Sequence, residues 1–443
     1  MENRIQIRRK NIVFDLDQYV LPDLAEIISQ YDYYIEGHSC SLEKKGDNML
    51  TYLTQMTDGR LITGDRNANL KSWDPATGCP LIDEIIYGIP GMQMQGHYNN
   101  MIQIEQIGTC IITSSDDNTI TIWNIESNNT RQKKCQREEI YNDTYQWPIT
   151  FLVLPSTGDK KLIAISTADE TIKILEWDGG INNIFSGRKL YCDNKYKMIL
   201  RGQKGYIDML DILPDGRLVS GSRDGSIAIW NLNNDQSNNK EVLSLIIGPG
   251  PRVIYPEVIL DQGSSIECMA ITPSLCQKES RSNGLIVCGS TEGNPLSGGL
   301  ENSIIKIIDL DKLALSEEYE STLKGHEDSV QCIKIISNET NGNIIHTIIS
   351  GSSDNTIRIW DLRTKESRVL RGHTQSVDCL QILPDRRIAS GSRDGTIRIW
   401  NPIKGSCDVV LTTITDCTYI NEIKILHDQR IVGISDQGVV IWS

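Results

Sequence analysis

The residues whose types could do chemistry are a serine, a histidine and an aspartate that occur together twice. The two sets are His326, Ser350 and Asp354 with Trp360, and His373, Ser390 and Asp394 with Trp400. Serine, histidine and aspartate form the triad of many hydrolases, in which the histidine activates the serine hydroxyl. Here each set follows the repeat of the chain and ends in a tryptophan, whose indole N–H needs an acceptor when it is buried. We therefore interpret both sets as structural hydrogen-bonding groups and not as catalytic residues.

Both sets lie within a fragment that the chain repeats. Residues 390–401 read Ser-Gly-Ser-Arg-Asp-Gly-Thr-Ile-Arg-Ile-Trp-Asn, and closely related fragments occupy residues 350–361 and 220–231. The segment Thr-Ile-Arg-Ile-Trp alternates with the period of two that a strand requires. The Asp-Gly or Asp-Asn pair before it supplies turn residues that tolerate positive φ. We therefore predict a fold built from copies of one unit of short strands.

A glycine and a histidine precede the first strand of two units, as Gly325-His326 and Gly372-His373. A Gly-His pair followed by Trp-Asp or Trp-Asn resembles the signature of the WD-repeat family. The resemblance implies an all-β fold, the WD-repeat β-propeller, in which the histidine, serine, aspartate and tryptophan of one blade form a hydrogen-bonded set. The fourth unit has Gln203 in the histidine position, and we expect a weaker network there.

The number of blades follows from the number of predicted third strands. These strands end near Trp73, Trp123, Leu175, Trp230, Ile308, Trp360, Trp400 and Trp442. The count predicts eight blades, with seven as the alternative, because the unit that ends at Leu175 matches the pattern least well. The interval from Trp230 to Ile308 is almost twice a compact repeat, so we expect long surface loops at residues 232–262 and 272–284.

The two ends of the chain suggest how the ring closes. We predict a leader with a short helix at residues 1–36 and the propeller at residues 37–443. Residues 38–44 form a candidate strand, whereas the last unit ends near Trp442 without a fourth strand. We expect the N-terminal strand to complete the last blade, because that pairing removes an open sheet edge.

Charge and cysteine usage limit the classes of partner and site. A net charge of −14 and a pI near 5.0 disfavour binding to nucleic acid or to an anionic membrane. Twelve cysteines include no Cys-x-x-Cys pair, and Cys268, Cys332 and Cys379 share one position in three units. That position is typical of buried packing, so we expect neither a metal nor a cofactor.

Motifs for catalysis and for membrane insertion are missing from the sequence. It contains no glycine-rich phosphate loop and no nucleophile elbow, so we expect no enzyme activity. We find no signal peptide and no apolar run long enough to span a bilayer. We therefore expect a monomeric cytoplasmic propeller, in the host-cell cytoplasm if the source is an intracellular pathogen or a virus.

Candidate partner-binding residues occupy the propeller mouth, where loops enter the first strands and turns join the second and third strands. They are Arg66, Arg223 and Arg393 on the turns, and Asp208, Glu267 and Asp378 on the first strands. Some WD-repeat substrate receptors bind phosphopeptides with clustered arginines at these positions, because a guanidinium matches a phosphate bidentately. Here the arginines fall on units 1, 4 and 7, and two of them share a unit with an aspartate. We expect ion pairs within a blade, with a phosphate pocket as the alternative.

The leader contains a second candidate interaction element. Its apolar residues have helical spacing, and the segment resembles the opening of an F-box, the module that docks substrate receptors onto cullin-type ubiquitin ligases. The residues concerned are Leu21, Pro22, Leu24, Ile27, Ile28 and Tyr31. Two functions therefore stay open. One is a non-enzymatic scaffold that binds other proteins or peptides, and the other is the substrate-recognition subunit of a cullin-type ubiquitin ligase that binds an adaptor.

Overall fold

The structure is a computed structural model, and it describes most of the repeats. The described residues are 39–41, 50–65, 70–75, 80–85, 101–108, 110–115, 119–124, 136–142, 148–155, 161–177, 196–232, 252–262, 265–272, 284–292, 302–315, 317–340, 343–412, 419–435 and 438–442.

Eight sheets form the blades of the propeller, and each contains four antiparallel strands. Blade 1 contains β2 (Leu50–Gln55), β3 (Leu61–Asp65), β4 (Leu70–Trp73) and β5 (Pro80–Ile85); blade 2 contains β6 (Met101–Ile107), β7 (Cys110–Ser115), β8 (Thr119–Asn124) and β9 (Gln136–Asn142); blade 3 contains β10 (Pro148–Leu154), β11 (Lys161–Thr167), β12 (Thr171–Trp177) and β13 (Tyr196–Arg201); blade 4 contains β14 (Ile207–Ile212), β15 (Leu218–Ser222), β16 (Ser226–Trp230) and β18 (Val258–Asp261). An additional strand, β17 (Arg252–Ile254), lies at the edge of blade 3.

The second half of the ring repeats this plan. Blade 5 contains β19 (Ile266–Ile271), β20 (Leu285–Glu292), β21 (Asn302–Asp309) and β22 (Glu320–Lys324); blade 6 contains β23 (Val330–Thr340), β24 (Asn343–Ser352), β25 (Ile357–Asp361) and β26 (Ser367–Leu370); blade 7 contains β27 (Val377–Ile382), β28 (Ile388–Ser392), β29 (Thr396–Asn401) and β30 (Ser406–Thr412); blade 8 contains β31 (Ile420–Ile425), β32 (Ile431–Ser435), β33 (Gly438–Trp442) and β1 (Ser39–Ser41). The prediction of an all-β propeller with eight blades is confirmed, and the unit that ends at Leu175 is a complete blade.

Tight turns between the second and third strands have the backbone that their residue types favour. Gly225 and Gly395 have φ values of 85° and 76°, and Asn355 has a φ of 68° in the equivalent turn. Glycine and asparagine tolerate this left-handed region, whereas most other residues are strained there. The Asp-Gly and Asp-Asn pairs therefore form the mouth turns of blades 4, 6 and 7.

Apolar layers between neighbouring blades form the core. Trp360 of blade 6 is 1% exposed and packs against blade 5, in a cluster with Val287 and Ile305. Trp400 of blade 7 packs in the same way against blade 6, in a cluster with Ile349. Because every blade buries one face against each neighbour, the strands are apolar on both faces and the ring is continuous.

The N-terminal strand β1 pairs antiparallel with β33 of the last blade. The pairs are Ser39 with Trp442, Cys40 with Ile441 and Ser41 with Val440. The first strand of blade 1 also contacts β32 of blade 8, so the last sheet packs on the first. This arrangement pairs the edge of β33 that would otherwise be open.

The prediction of a long surface loop over residues 232–262 was wrong at its C-terminal end. The strand β18 is the outer strand of blade 4, and β17 runs parallel to β13 of blade 3. Both segments bury one apolar side chain, Ile254 at 7% exposure and Leu260 at 6%. These strands are three and four residues long, which is too short to show a clear alternation in the sequence.

A short helix, α1 (Leu310–Ala314), follows the third strand of blade 5, and the sequence analysis did not predict it. The carboxylate of Asp309 caps its start and accepts hydrogen bonds from the main-chain N–H groups of Asp311 and Lys312 at 3.1 and 3.2 Å. Within the described ranges, no helix is both long enough and apolar enough to cross a membrane.

Candidate protein-binding mouth

The first hydrogen-bonded set lies inside blade 6. The indole N–H of Trp360 donates to Ser350 Oγ at 2.8 Å, and His326 Nε2 lies 2.7 Å from the same oxygen. His326 Nδ1 lies 2.7 Å from Asp354 Oδ2. A carboxylate only accepts, so the network places the histidine proton on Nδ1 and lets the serine hydroxyl donate to Nε2. Burial alone would raise the pKa of Asp354, but hydrogen bonds from His326 and Thr356 hold it well below its usual range.

Blade 7 repeats this arrangement. Trp400 Nε1 donates to Ser390 Oγ at 2.7 Å, and His373 lies 2.7 Å from Ser390 Oγ and 2.8 Å from Asp394 Oδ2. Ser390 has no exposed surface and His373 is only 7% exposed. The serine oxygen already accepts from an indole and has no open side for a substrate. The three side chains have the arrangement of a catalytic triad, but here they hold the loop that contains His373 on blade 7.

Gln203 takes the histidine position of blade 4 through a longer relay. Ser220 Oγ accepts from Trp230 Nε1 at 2.8 Å and donates to Gln203 Oε1 at 2.5 Å. Gln203 Nε2 lies 3.0 Å from Ser226 Oγ, which in turn donates to Asp224 Oδ1 at 2.6 Å. The hydroxyl of Ser226 thus replaces the direct contact between a ring nitrogen and the aspartate, and the chain of hydrogen bonds is unbroken.

Threonines take the serine position in blades 1 and 2, which the sequence analysis missed. Trp73 Nε1 donates to Thr63 Oγ1 at 2.7 Å, and Trp123 Nε1 donates to Thr113 Oγ1 at 2.8 Å. In both blades the threonine and the tryptophan are ten residues apart, as Ser350 and Trp360 are in blade 6. That spacing, with any hydroxyl residue allowed, would have found them.

At the mouth, two arginines form ion pairs within their own blades. The guanidinium of Arg223 donates through Nε to the carboxylate of Asp208, and Arg393 Nε donates to Asp378 Oδ2 at 2.7 Å. The main-chain N–H of Arg223 also bonds the carbonyl of Tyr206 at 2.9 Å, which ties the turn to the loop that enters the first strand. The arginine side chains are 63% and 58% exposed. Each arginine therefore covers its aspartate and presents its outer nitrogens to solvent.

A chain of polar contacts connects the mouths of blades 6 and 7. Gln331 Nε2 donates to Ser353 Oγ at 3.0 Å, and Ser353 Oγ lies 3.3 Å from Ser376 Oγ. Ser376 Oγ donates to Asp378 Oδ1 at 2.6 Å, which leads to Arg393. The side chains at this part of the mouth are thus held in place by one another, which would lower the entropy cost of any binding there.

Blades 4 and 5 place two further groups beside Arg223. Tyr206 is 40% exposed, and its ring centre lies 5.9 Å from the guanidinium carbon of Arg223. Glu267 of blade 5 is exposed and close enough to raise the pKa of Arg223, after the larger effect of Asp208. The sequence analysis missed Tyr206. It lies two residues before Asp208, in the loop that enters the first strand, and could have been found by including that loop among the candidate mouth positions. Arg66 and the leader residues Leu21, Pro22, Leu24, Ile27, Ile28 and Tyr31 lie outside the described residues.

Three equivalent cysteines pack between neighbouring first strands. Cys268 Sγ lies 3.3 Å from the carbonyl oxygen of Val330 in the next blade, and Cys332 and Cys379 make the corresponding contacts at 3.7 and 3.9 Å. Burial raises the pKa of all three thiols well above the usual value, so they stay protonated and unreactive. Within the part of the chain that the structure describes, no group of three potential metal ligands occurs.

Comparison with known proteins agrees with this architecture. The family model "WD domain, G-beta repeat" matches residues 90–124, 194–231, 317–361 and 364–401. WD repeat-containing protein pop2 of Schizosaccharomyces pombe is 34% identical over 76 residues, which are 17% of this chain and 10% of that protein. Mitochondrial division protein 1 of Saccharomyces cerevisiae is 25% identical over 241 residues, 52% of this chain and 32% of that protein. The chain thus spans about a third or less of the length of these curated relatives.

A solved structure shows the same fold over nearly the whole chain. Chaetomium thermophilum Sqt1, bound to the N-terminus of the ribosomal protein L10, superimposes with a TM-score of 0.63 and 16% identity. The match covers 92% of this chain and 99% of that one. The matched repeats and the eight blades together show that this chain has the fold of a WD-repeat β-propeller.

Proposed function

We propose that this chain is a non-enzymatic scaffold whose mouth binds a polypeptide segment of a partner protein. WD40 propellers bind other proteins or peptides and are typically non-enzymatic. The observation that carries the proposal is the pair of exposed arginines, Arg223 and Arg393. Each uses Nε for an aspartate of its own blade, and in the described residues nothing bonds its outer nitrogens. Those nitrogens are free to donate to the carbonyl or carboxylate groups of a peptide.

The arrangement of charge favours a peptide that makes several separate contacts. Arg223 and Arg393 lie on blades 4 and 7, with the mouths of blades 5 and 6 between them. The mouths of blades 5 and 6 contain the carboxylate of Glu267 and the hydrogen-bonded side chains of Gln331 and Ser353. Donors at both ends with an acceptor between them suit an extended segment better than a single phosphate group.

The test compares wild-type protein with the double variant Arg223→Ala, Arg393→Ala in affinity capture from a eukaryotic lysate, followed by mass spectrometry. The matched control is Arg363→Ala, because Arg363 is 73% exposed, pairs with Asp361 at 3.4 Å and lies at the other end of blade 6. We expect wild type and control to capture the same proteins and the double variant to lose them. Equal capture by all three proteins would contradict binding at the mouth, and a turnover abolished by the double variant would contradict a non-enzymatic role.

The ubiquitin-ligase function stays a prediction. It depends on the segment from Leu21 to Tyr31, which lies outside the described residues. Deletion of residues 1–35 provides the test, since this function requires that an adaptor and a cullin are captured by the full chain and not by the shortened one. The cytoplasmic location expected from the sequence also stays a prediction.

A further inference from the structure

Exposed apolar side chains concentrate on one short segment of the outer strands. Six large apolar side chains are exposed in the described part of the chain, and three of them, Val253, Tyr255 and Ile259, lie within seven consecutive positions. Their exposed fractions are 47%, 62% and 47%. Single exposed apolar residues are normal on a protein surface, whereas several together mark an interaction surface. The segment that contains β17 and β18 is therefore a candidate for a second binding surface.

The two residues on β17 share one face of the sheet. Ile254 is 7% exposed and belongs to the core between blades 3 and 4, so its neighbours Val253 and Tyr255 point to the opposite, exposed face. Val253 is in register with Ile199 of β13, which is half-buried and extends this face by one apolar residue. The outer face of blade 3 is thus apolar across its last two strands.

The end of β13 connects this face to blade 4. A Cβ atom at Gly202, which directly follows β13, would lie 2.8 Å from Pro256 Cδ and 3.7 Å from Ile259 Cδ1. The ring of Pro256 and the side chain of Ile259 therefore lie against the main chain at this point, beside the face of β17. The apolar surface continues from blade 3 onto β18 of blade 4.

The free edge of β17 indicates which kind of partner fits. β17 is the fifth strand of blade 3, added parallel to β13, and no strand among the described residues pairs with its other edge. Main-chain N–H and C=O groups along such an edge can pair with a further strand. The chain already extends blade 3 in this way, because β17 comes from the segment that leads into blade 4. An extended segment of a partner can continue the sheet, with every second side chain on the apolar face.

One cation at this surface has no counterion among the described residues. Arg201 is exposed, and no acid of the described ranges pairs with it, whereas Lys197 of the same strand pairs with Glu176 at 3.0 Å. Arg201 ends β13 and Tyr255 follows β17 directly, so both lie at the same end of the exposed face. A carboxylate at this end of an added strand would meet an unpaired guanidinium.

We propose that the outer edge of blade 3 binds an extended segment of a partner protein as a further strand beside β17. The segment has apolar side chains at alternate positions, which cover Val253 and Tyr255, and an acidic residue that pairs with Arg201. Burial of the apolar face drives binding, main-chain hydrogen bonds fix the register, and the ion pair sets the direction of the strand. This surface lies on outer strands, whereas Arg223 and Arg393 lie on mouth turns.

Fluorescence anisotropy on the full chain tests this with two labelled heptapeptides, Glu-Thr-Ile-Thr-Val-Thr-Gly and its reversal Gly-Thr-Val-Thr-Ile-Thr-Glu, which represent the two strand directions. One control peptide has lysine in place of the glutamate, and a second has N-methylated amides at its five central residues. We expect saturable binding of at least one heptapeptide at one site per chain, with both of its controls weaker by about tenfold or more. Absence of saturable binding for both heptapeptides overturns the proposal, and so does equal binding of a control.

Variants of the apolar face then locate the site. The double variant Val253→Thr, Tyr255→Ser removes exposed apolar surface only, so it is expected to fold as judged by thermal melting. It should lower the affinity for the peptide by about tenfold or more. The matched control is Val410→Thr, Leu315→Ser, because these side chains are 46% and 70% exposed and lie on blade 7 and at the end of α1. Equal affinities of the double variant and this control would overturn the proposal.

A second pair of variants tests the charge. Arg201→Met should weaken binding of the glutamate peptide and leave that of the lysine peptide unchanged. The control is Arg371→Met, because Arg371 is exposed and precedes a glycine at the end of the outer strand of blade 6, as Arg201 does in blade 3. Equal affinities of these two variants for the glutamate peptide would overturn the assigned ion pair. The mouth variant Arg223→Ala, Arg393→Ala should bind the peptide as wild type does, so this test and that of the mouth can fail separately.

Discussion

Lys424 of β31 donates a hydrogen bond to the main-chain carbonyl of Leu53 in β2, which joins the last blade to the first across 371 residues of sequence. The same ammonium group lies 3.2 Å from Glu422, whose Oε2 is buried and has no hydrogen-bond partner within the described part of the chain. Burial raises the pKa of Glu422, and the charge of Lys424 lowers it. At blades 5, 6 and 7 the position of Glu422 is occupied by a neutral cysteine, so this junction depends more on charge than those do.

Lys424→Met should therefore weaken ring closure. It leaves the Leu53 carbonyl without its donor and the Glu422 carboxylate without its cation, so we expect a loss of about 1–3 kcal/mol in the free energy of unfolding. Urea unfolding followed by tryptophan fluorescence measures this. Lys197→Met is the control, because it removes a surface ion pair with Glu176, and such pairs contribute about 1 kcal/mol or less. Equal losses of unfolding free energy in the two variants would show that the contacts of Lys424 stabilise the protein no more than a surface ion pair does.

Two equivalent glycines should respond differently to the same substitution. A Cβ atom at Gly351 would lie 2.7 Å from Val377 Cγ1 of blade 7 and 2.8 Å from Cys332 Sγ. At Gly221 of blade 4 the nearest atom would be Met209 Cβ at 3.5 Å, which is ordinary contact. We expect Gly351→Ala to destabilise the protein by about 1–3 kcal/mol because the blades must move apart. Gly221→Ala should be neutral or slightly stabilising, and a comparable loss there in thermal unfolding would contradict this account.

Ser350→Ala tests the structural role of the blade 6 set. The variant leaves the indole N–H of Trp360 and the ring nitrogen of His326 without the oxygen that both contact. Each unsatisfied buried group costs about 1–3 kcal/mol, so we expect a large drop in the free energy of unfolding. Ser406→Ala is the control, because Ser406 is exposed and donates only to Asp408 at 3.1 Å among the described residues. If Ser350→Ala is as stable as Ser406→Ala, the hydrogen-bonded set of blade 6 does not stabilise the blade.

The same sets predict how stability depends on pH. Although burial opposes it, hydrogen bonds from histidine and threonine lower the folded-state pKa of Asp354 and Asp394. A carboxyl group of this kind contributes stability above its unfolded pKa and loses that contribution as the pH falls toward its folded pKa. We expect the free energy of unfolding of wild type to fall from about pH 5 toward pH 3.

The double variant Asp354→Asn, Asp394→Asn measures the share of these two residues in that pH dependence. It should be less stable than wild type at neutral pH and should show a shallower decline in acid, as measured by urea unfolding at several pH values. Asp408→Asn, on an outer strand, should keep the slope of wild type. Identical slopes for the double variant and wild type would exclude the two aspartates as the source.

Local signals in the sequence determined the repeat, the strands and the number of blades. The fragments at residues 220–231, 350–361 and 390–401 carry their turn residues and their alternation within a dozen positions, so strand and turn could be read without knowledge of the ring. The sequence likewise assigned Arg223 and Asp208 to mouth positions of the same repeat unit, and the structure shows their ion pair. The sequence analysis did not find the threonines of blades 1 and 2. They occupy the repeated position ten residues before the tryptophan, but the residue type there differs from the serine of the other blades.

Only the tertiary structure decided which distant residues meet. The short strands β17 and β18 are defined by the partners they pair with, and nothing in their few residues distinguishes them from a loop. The contact of Lys424 with Leu53 exists because eight blades close a ring. The sequence of this protein therefore determines the unit, through interactions a few residues long, while closure of the ring determines which distant residues meet between blades.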